Sequence, residues 1–434
     1  MTEGRAGSAR SRMLIVRSGA VVATMVLLSG VVLTSPAFAP TASPSATPGP
    51  TLTPGPTLTP GPTLTPGPTL TPGPTHVAIP SVLDTAHAAF WTLEAPAAAQ
   101  DLKRRTLRIG TLDGRVRAKI VYEDPGLGPL GVPFEPMPAG PTRGLVVYVV
   151  DNGRQAVVHL ADAQNGADRV LFTDSSLVSD LAIDPTGRTV YSLRLDRATG
   201  SFADVTAVAI AGGQPRRVIL ASDFAQMATP PVDLPTAASQ LIASEDGRWL
   251  AAASCRASGC TVVAVHPSGG SAIRITGLGA TDRLVGFIGD RLVVSVAWSC
   301  LEVECDGFSV DLTTAVRQPL GDRDVFDPQR VILAATGSKL LGEAEDYPTG
   351  RWWAELFDPA TATRRRVFAA TYDPARTVLR LARPDDFLSV ELPPGWFLIY
   401  RNDNAAPAPY PRYSTARIDG ATETRLPILT PPRP

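Results

Sequence analysis

One pattern restricts this chain more than any other: a tight, Gly-bearing turn that opens directly into an apolar strand. It is clearest in Leu241-Ile-Ala-Ser-Glu-Asp-Gly-Arg-Trp-Leu-Ala-Ala-Ala-Ser-Cys255, a strand, a polar turn and a second strand. Comparable entries are Asp184-Pro-Thr-Gly-Arg-Thr-Val-Tyr191, Gly289-Asp-Arg-Leu-Val-Val294, Thr336-Gly-Ser-Lys-Leu-Leu341 and Pro393-Pro-Gly-Trp-Phe-Leu398. Weaker ones stand at Arg143-Gly-Leu-Val-Val-Tyr148 and His87-Ala-Ala-Phe-Trp91. They recur about 40–60 residues apart, a spacing that belongs to repeated four-stranded units. A second marker alternates with the first. Seven later hairpins, at Leu112–Gly114, Asp162–Gly166, Ala211–Gly213, Pro267–Gly270, Asp311–Thr314, Asp358–Thr361 and Asp419–Gly420, join apolar runs of strand length. Gly and Asp at such places permit the positive φ that short hairpins need.

Seven small sheets cannot each bury two faces alone, so they must bury them against one another around an axis. The expected fold is therefore all-β: a seven-bladed β-propeller over residues 77–434, with four antiparallel strands per blade. Blade one lacks a clean first strand. Val77-Ala-Ile79 is the candidate for it, or for closing the ring against blade seven.

Two turns carry a family resemblance. Ser244-Glu-Asp-Gly-Arg-Trp-Leu-Ala251 resembles the Ser-Pro-Asp-Gly-Arg turn of TolB-like and WD40-like propellers. Asp184-Pro-Thr-Gly-Arg-Thr-Val-Tyr191 is similar to the turn of YVTN-type bacterial propellers. These turns are structural in such proteins, so the resemblance implies a fold and assigns no functional residue.

The amino terminus reads as an export signal over residues 1–39. Arg5, Arg10, Arg12 and Arg17 precede an apolar run from Gly19 to Leu33, and small residues follow at Ser35-Pro-Ala-Phe-Ala39. Without cleavage, residues 19–35 are just long enough to anchor the chain in a membrane. Residues 40–76 follow as a Pro/Thr/Gly-rich linker in which Thr-Pro-Gly-Pro-Thr-Leu repeats. Proline at that density excludes helix and sheet and leaves polyproline II, about 90 Å long if fully extended. An extracytoplasmic location follows, with membrane contact only through an uncleaved anchor.

The formal net charge is -1, and loss of residues 1–39 leaves it near -4. Such a chain has no electrostatic footprint for nucleic acid. Arginine far outnumbers lysine, which occurs only as Lys103, Lys119 and Lys339. With so much Ala, Gly and Pro, that excess reads as coding bias. The four cysteines, Cys255, Cys260, Cys300 and Cys305, form two C-x4-C pairs between the second and third strands of blades four and five. An even count in an exported chain implies disulfides, and the local pairing is favoured over the other two connectivities and over a zinc site.

No nucleophile elbow, phosphate loop, calcium loop or metalloprotease motif occurs, and no cofactor or metal is expected. The informative asymmetry lies in the loops. The marker turns are tight and share one face. The opposite face carries longer connections, including Glu123–Thr142, Arg194–Ala203, Ala221–Ser239, Glu343–Arg351 and Asn402–Arg412. Binding concentrates on such loops. The candidate binding residues are Glu345, Asp346, Tyr347, Arg351 and Trp352 in one loop, with Trp298 and Tyr410 in others; a Trp on a propeller strand is also a natural wedge between blades. The reading is a monomeric binding or scaffold module that presents this face to a protein or glycan. The alternative is a hydrolase or lyase acting on a lactone or sugar at the channel mouth.

Overall fold

The computed structural model describes residues 82–427 except 86, 95–103, 124–137, 225–239, 257–258, 280–281, 296–306, 321–328, 347–348, 373–376, 383–387, 404–412 and 420–422. Among the described residues the strands form seven four-stranded antiparallel sheets, the blades of a β-propeller. Blade two holds β4 (Ala139–Thr142), β5 (Leu145–Asp151), β6 (Ala156–Asp162) and β7 (Asp168–Asp174). Blade three holds β8 (Leu177–Ile183), β9 (Thr189–Leu195), β10 (Phe202–Ala209) and β11 (Arg216–Leu220). Blade four holds β12 (Gln240–Ala243), β13 (Leu250–Arg256), β14 (Gly259–Val265) and β15 (Ile273–Leu278). Blade five holds β16 (Arg283–Ile288), β17 (Arg291–Ser295), β18 (Gly307–Asp311) and β19 (Arg317–Pro319). Blade six holds β20 (Gln329–Thr336), β21 (Lys339–Asp346), β22 (Arg351–Asp358) and β23 (Thr363–Thr371). The first strands of blades two to six (β4, β8, β12, β16 and β20) touch in succession, which places them at the axis.

Blades one and seven share their strands. Blade one contributes β1 (Ala89–Glu94), β2 (Arg104–Thr111) and β3 (Val116–Glu123). Its innermost strand is β25 (Leu388–Val390), paired antiparallel with β1 so that Phe90 faces Val390 and Thr92 faces Leu388. That strand lies within the connection between β24 (Thr377–Leu381) and β26 (Trp396–Asp403) of blade seven, which continues into β27 (Tyr413–Arg417) and β28 (Thr424–Arg425). The expectation that Val77-Ala-Ile79 supplies the first strand of blade one is thereby corrected. Those residues lie outside the described set, and the position beside β1 is filled from blade seven.

The burial pattern explains the strand sequences. A second strand has a blade on each side and is buried on both faces, as in the consecutive buried residues Val146 to Val149 of β5 and Val190 to Leu193 of β9. An outermost strand is largely solvated, so β19 is Arg-Gln-Pro and exposed throughout. The core is a series of wedges between blades. One joins Leu193, Val205 and Ile219 of blade three to Leu250 and Val263 of blade four. The next joins Trp249, Ala251 and Val262 to Phe287, Leu292 and Val310 of blade five. At roughly 25 cal/mol per Å² of buried apolar surface, these wedges supply most of the force that holds sheets too small to stand alone.

The marker turns work through their own side chains. Gly187 (φ 67°) and Gly247 (φ 69°) occupy left-handed positions that a Cβ disfavours. Ser244 Oγ donates to Asp246 Oδ1 at 2.6 Å and accepts from Trp249 N at 2.8 Å, closing the turn on itself. All seven outer hairpins fall between third and fourth strands, as the second marker requires.

Candidate functional site

Strand direction puts two kinds of connection on each face. First-to-second and third-to-fourth turns share the tight face; second-to-third connections and blade-to-blade crossings share the other. The tight face is cross-linked. Arg143 Nε in blade two donates to Pro185 O in blade three at 3.1 Å, and Trp249 Nε1 in blade four donates to Asp290 Oδ1 in blade five at 2.9 Å. The His266 ring stacks on Trp249 with centroids 3.8 Å apart.

The loop face carries the sequence-derived candidates. Glu345, Asp346, Arg351 and Trp352 are brought together at the end of the β21–β22 hairpin, where Glu345 pairs with Trp352 and Asp346 with Arg351 across the strands. Arg351 is exposed, and Asp346 Oδ2 accepts from Thr349 Oγ1 at 2.6 Å. Trp352 is 1 % exposed and belongs to the wedge between blades six and seven, edge-on to Phe368 at 6.1 Å between ring centroids. Its Nε1 donates to Glu343 Oε2 at 3.1 Å, and the same oxygen accepts Leu381 N of blade seven at 2.6 Å. Burial, and then the charge of Glu343 two residues away, push the Glu345 carboxyl above its ordinary range. Tyr347, Trp298 and Tyr410 lie outside the described residues, as do Cys300 and Cys305. Cys255 and Cys260 stand opposite each other in β13 and β14 and form a disulfide.

Several buried charges near the loop face are paired inside the protein. Arg194 donates to Asp174 Oδ2 at 2.6 Å and through Nε and Nη2 to both oxygens of Asp204 at 2.5 and 2.6 Å. Arg197 bridges blades by donating to both oxygens of Asp151, at 3.1 and 2.7 Å. Asp180, on the axial strand β8, accepts Leu181 N at 2.8 Å and Leu241 N of blade four at 2.7 Å. Burial pushes its carboxyl up to about 7, against the opposing pull of those two backbone bonds. Among the described residues, no group of three or more His, Cys, Asp or Glu is placed to hold a metal ion, and no helix is long and apolar enough to cross a membrane.

The sequence reading missed two devices. One is Asp180. The other is the arginines, which stitch the outer rim. Arg169 of β7 donates to Ile210 O, Arg216 of β11 to Pro267 O at 2.7 Å and Arg365 of β23 to Ile418 O at 2.9 Å. Each acceptor is the backbone carbonyl at the entry to the next blade's outer hairpin. Arg274 and Arg317 reach back instead, to Asp223 O at 2.7 Å and Gly277 O at 3.4 Å of the preceding blade. The available signal was positional: an arginine within a few residues after an outer hairpin.

No protein-family model matches the chain, and no curated protein matches it. Solved structures do. TolB from Acinetobacter baumannii aligns at 15% identity and a TM-score of 0.37, over 65% of this chain and 63% of that one. A prolyl endopeptidase structure aligns at 13% identity and a TM-score of 0.47, over 81% of this chain and 51% of that one. The propeller domain of the Trilobed protease from Pyrococcus furiosus aligns at 9% identity and a TM-score of 0.46, over 78% and 98%. The chain thus spans less than two thirds of the first two. The resemblance to TolB-like propellers read from the turns is met again here as a likeness of fold, and it assigns no activity.

Proposed function

We propose that this chain is an exported binding module whose propeller presents its long-loop face to a protein or glycan partner. The observation that carries the reading is the contrast between the two faces. One is closed by tight turns tied to each other; the other carries the longer connections β1–β2, β3–β4, β11–β12, β17–β18 and β26–β27, and beside them the short β21–β22 hairpin, four residues rather than the long loop expected, holds Asp346 and Arg351 at its tip over a Trp352 wedge. A rigid scaffold bearing variable loops is how such surfaces are built. Glu345, Asp346 and Arg351 supply the charged contacts, and Tyr347, Trp298 and Tyr410 are the aromatic candidates beside them. The Cys255–Cys260 disulfide fits the oxidising compartment implied by the signal segment. Residues 40–76 would space the propeller from the surface to which residues 19–35 could hold it. The module acts as a monomer and needs no cofactor.

A second reading, a hydrolase or lyase working on a lactone or sugar at the channel mouth, is favoured by one observation, the Asp180 carboxyl raised to about 7 on an axial strand. Both oxygens of that carboxyl are already held by backbone N–H groups, so binding is the preferred reading.

The test is a glycan array together with capture of purified envelope proteins by the immobilised mature chain. Asp346→Lys with Arg351→Glu should weaken any specific capture by about tenfold or more, as loss of central contacts does. Lys339→Glu on the tight face should leave it unchanged. Equal losses from both variants, or none from the first, would overturn the assignment of this face.

A further inference from the structure

The seams between blades are not alike. Alternation along the strands assigns each side chain to a seam. On β1, Trp91 and Leu93 pack towards blade two, whereas Phe90 and therefore Thr92 face blade seven. On blade seven, Trp396, Leu398, Tyr400 and Tyr413 face back at them, and Thr415, paired with Leu398, shares that side. Thr92 Oγ1, Thr415 Oγ1 and Trp396 Nε1 are all buried on this one seam without a hydrogen-bond partner. Thr92 is 3 % and Thr415 0 % exposed. Elsewhere among the described residues such atoms occur singly: His159 Nδ1 beside blade one, Ser309 Oγ beside blade six and Arg401 Nε beside blade six. A buried polar group without a partner is penalised while the seam is dry and regains hydrogen bonds when water enters.

The same seam is closed by a short strand. The backbone tie across it is β25, three residues long. Beyond it, Glu391 N donates to Ala89 O at 2.9 Å. The Glu391 carboxylate then reaches blade two, where it accepts Arg143 N at 2.5 Å and Gly144 N at 2.6 Å. Both residues are left-handed (φ 53° and 75°), which aims two consecutive N–H groups at one anion.

We propose that the ring opens between its seventh and first blades, with Leu388–Glu391 as a strap and the Glu391 carboxylate as its catch. Opening hydrates the three orphaned polar groups and separates β25 from β1. It also admits solvent sideways to the axis, independently of what the loop face binds.

Amide hydrogen exchange on the full chain tests this. The N–H groups of Glu391, Arg143 and Gly144 should exchange together, ahead of the ladder amides of blades three to six. Thr92→Val with Thr415→Val replaces two orphaned hydroxyls by methyl groups of the same shape and should slow that opening about tenfold or more. Glu391→Gln should hasten it about tenfold, because a charged acceptor of two N–H groups is replaced by a neutral one. Exchange of the three amides only with global unfolding would overturn the proposal, as would a double valine variant with unchanged rates. Should Glu391→Gln fail to fold, the double valine variant decides alone.

Discussion

Asp180→Asn isolates one electrostatic contribution to the ring. The wild-type carboxyl, ordinarily near 3.8, is raised to about 7 by burial. A group whose folded pKa is raised holds its proton more tightly in the native state. Its stabilising contribution is complete below the unfolded value and is lost as pH climbs through about 7. At about 1.4 kcal/mol per pH unit, the loss between about pH 4.5 and about pH 8 has a ceiling near 3 kcal/mol. Asp180 is only partly buried by its accessible surface, so water reaches it and about half that figure is expected. With an unfolding entropy of about 2.1 cal/mol/K per residue over some 350 residues, that corresponds to roughly 2 °C in Tm. Asparagine cannot accept both Leu181 N and Leu241 N, so the variant also carries a constant penalty of about 1–3 kcal/mol at every pH. The informative quantity is therefore the double difference. Thermal melts of both proteins across this range should show wild type losing roughly 2 °C more than the variant as pH rises. Parallel profiles would refute the view that a desolvated carboxyl sits on β8.

The rim arginines give a second expectation. Arg216→Ala and Arg365→Ala each remove a cationic donor from a neighbouring blade's carbonyl, and both side chains are exposed, so each should cost about 0.5–1 kcal/mol in denaturant titrations. No measurable loss from either would show that the stitches are incidental. The β21–β22 hairpin gives a third: Trp352→Ala should destabilise by about 3–5 kcal/mol by emptying the wedge between blades six and seven, while the neighbouring Arg351→Ala stays within about 0.5 kcal/mol. Similar small effects from both would mean that Trp352 is not the wedge its burial indicates.

What the sequence made legible follows from how local each signal is. The turns at Asp184–Arg188 and Ser244–Arg248 announce themselves because Gly must take positive φ and because Asp and Ser bond the turn's own backbone. Everything needed lies within six residues. The closing strand was not legible, since Leu388-Ser-Val390 has no turn signature and pairs with β1 at the far end of the chain. Trp352 shows the same limit at the site. Its neighbours Asp346 and Arg351 mark a loop end, but whether its ring points to solvent or into a seam depends on Phe368 of the adjacent strand β23 and on blade seven, whose Phe397 packs on Phe368 once blades six and seven stack. The arginines were hidden for another reason. As a composition they look like coding bias; only their placement after each outer hairpin gives them a partner.

The axial strands pose a general difficulty that this chain meets with side chains. Each innermost strand is a sheet edge, so half of its N–H groups point away from any ladder partner. Here a preceding blade supplies the acceptor. Asp180 of blade three takes Leu241 N, Gln240 of blade four takes Leu284 N at 2.7 Å, and Glu343 of blade six takes Leu381 N. Asp180, Gln240 and Glu343 are thus engaged with the next blade rather than left free at the axis. Blade one breaks the sequence. Its inner strand is borrowed from blade seven, and the carboxylate that follows, Glu391, passes over blade one to hold the turn of blade two. Three of the seams are capped in this way, and the ring still has to close somewhere. In this one the exception falls at the seam that also gathers three orphaned polar groups, so the step that closes the ring is the same step that can reopen it.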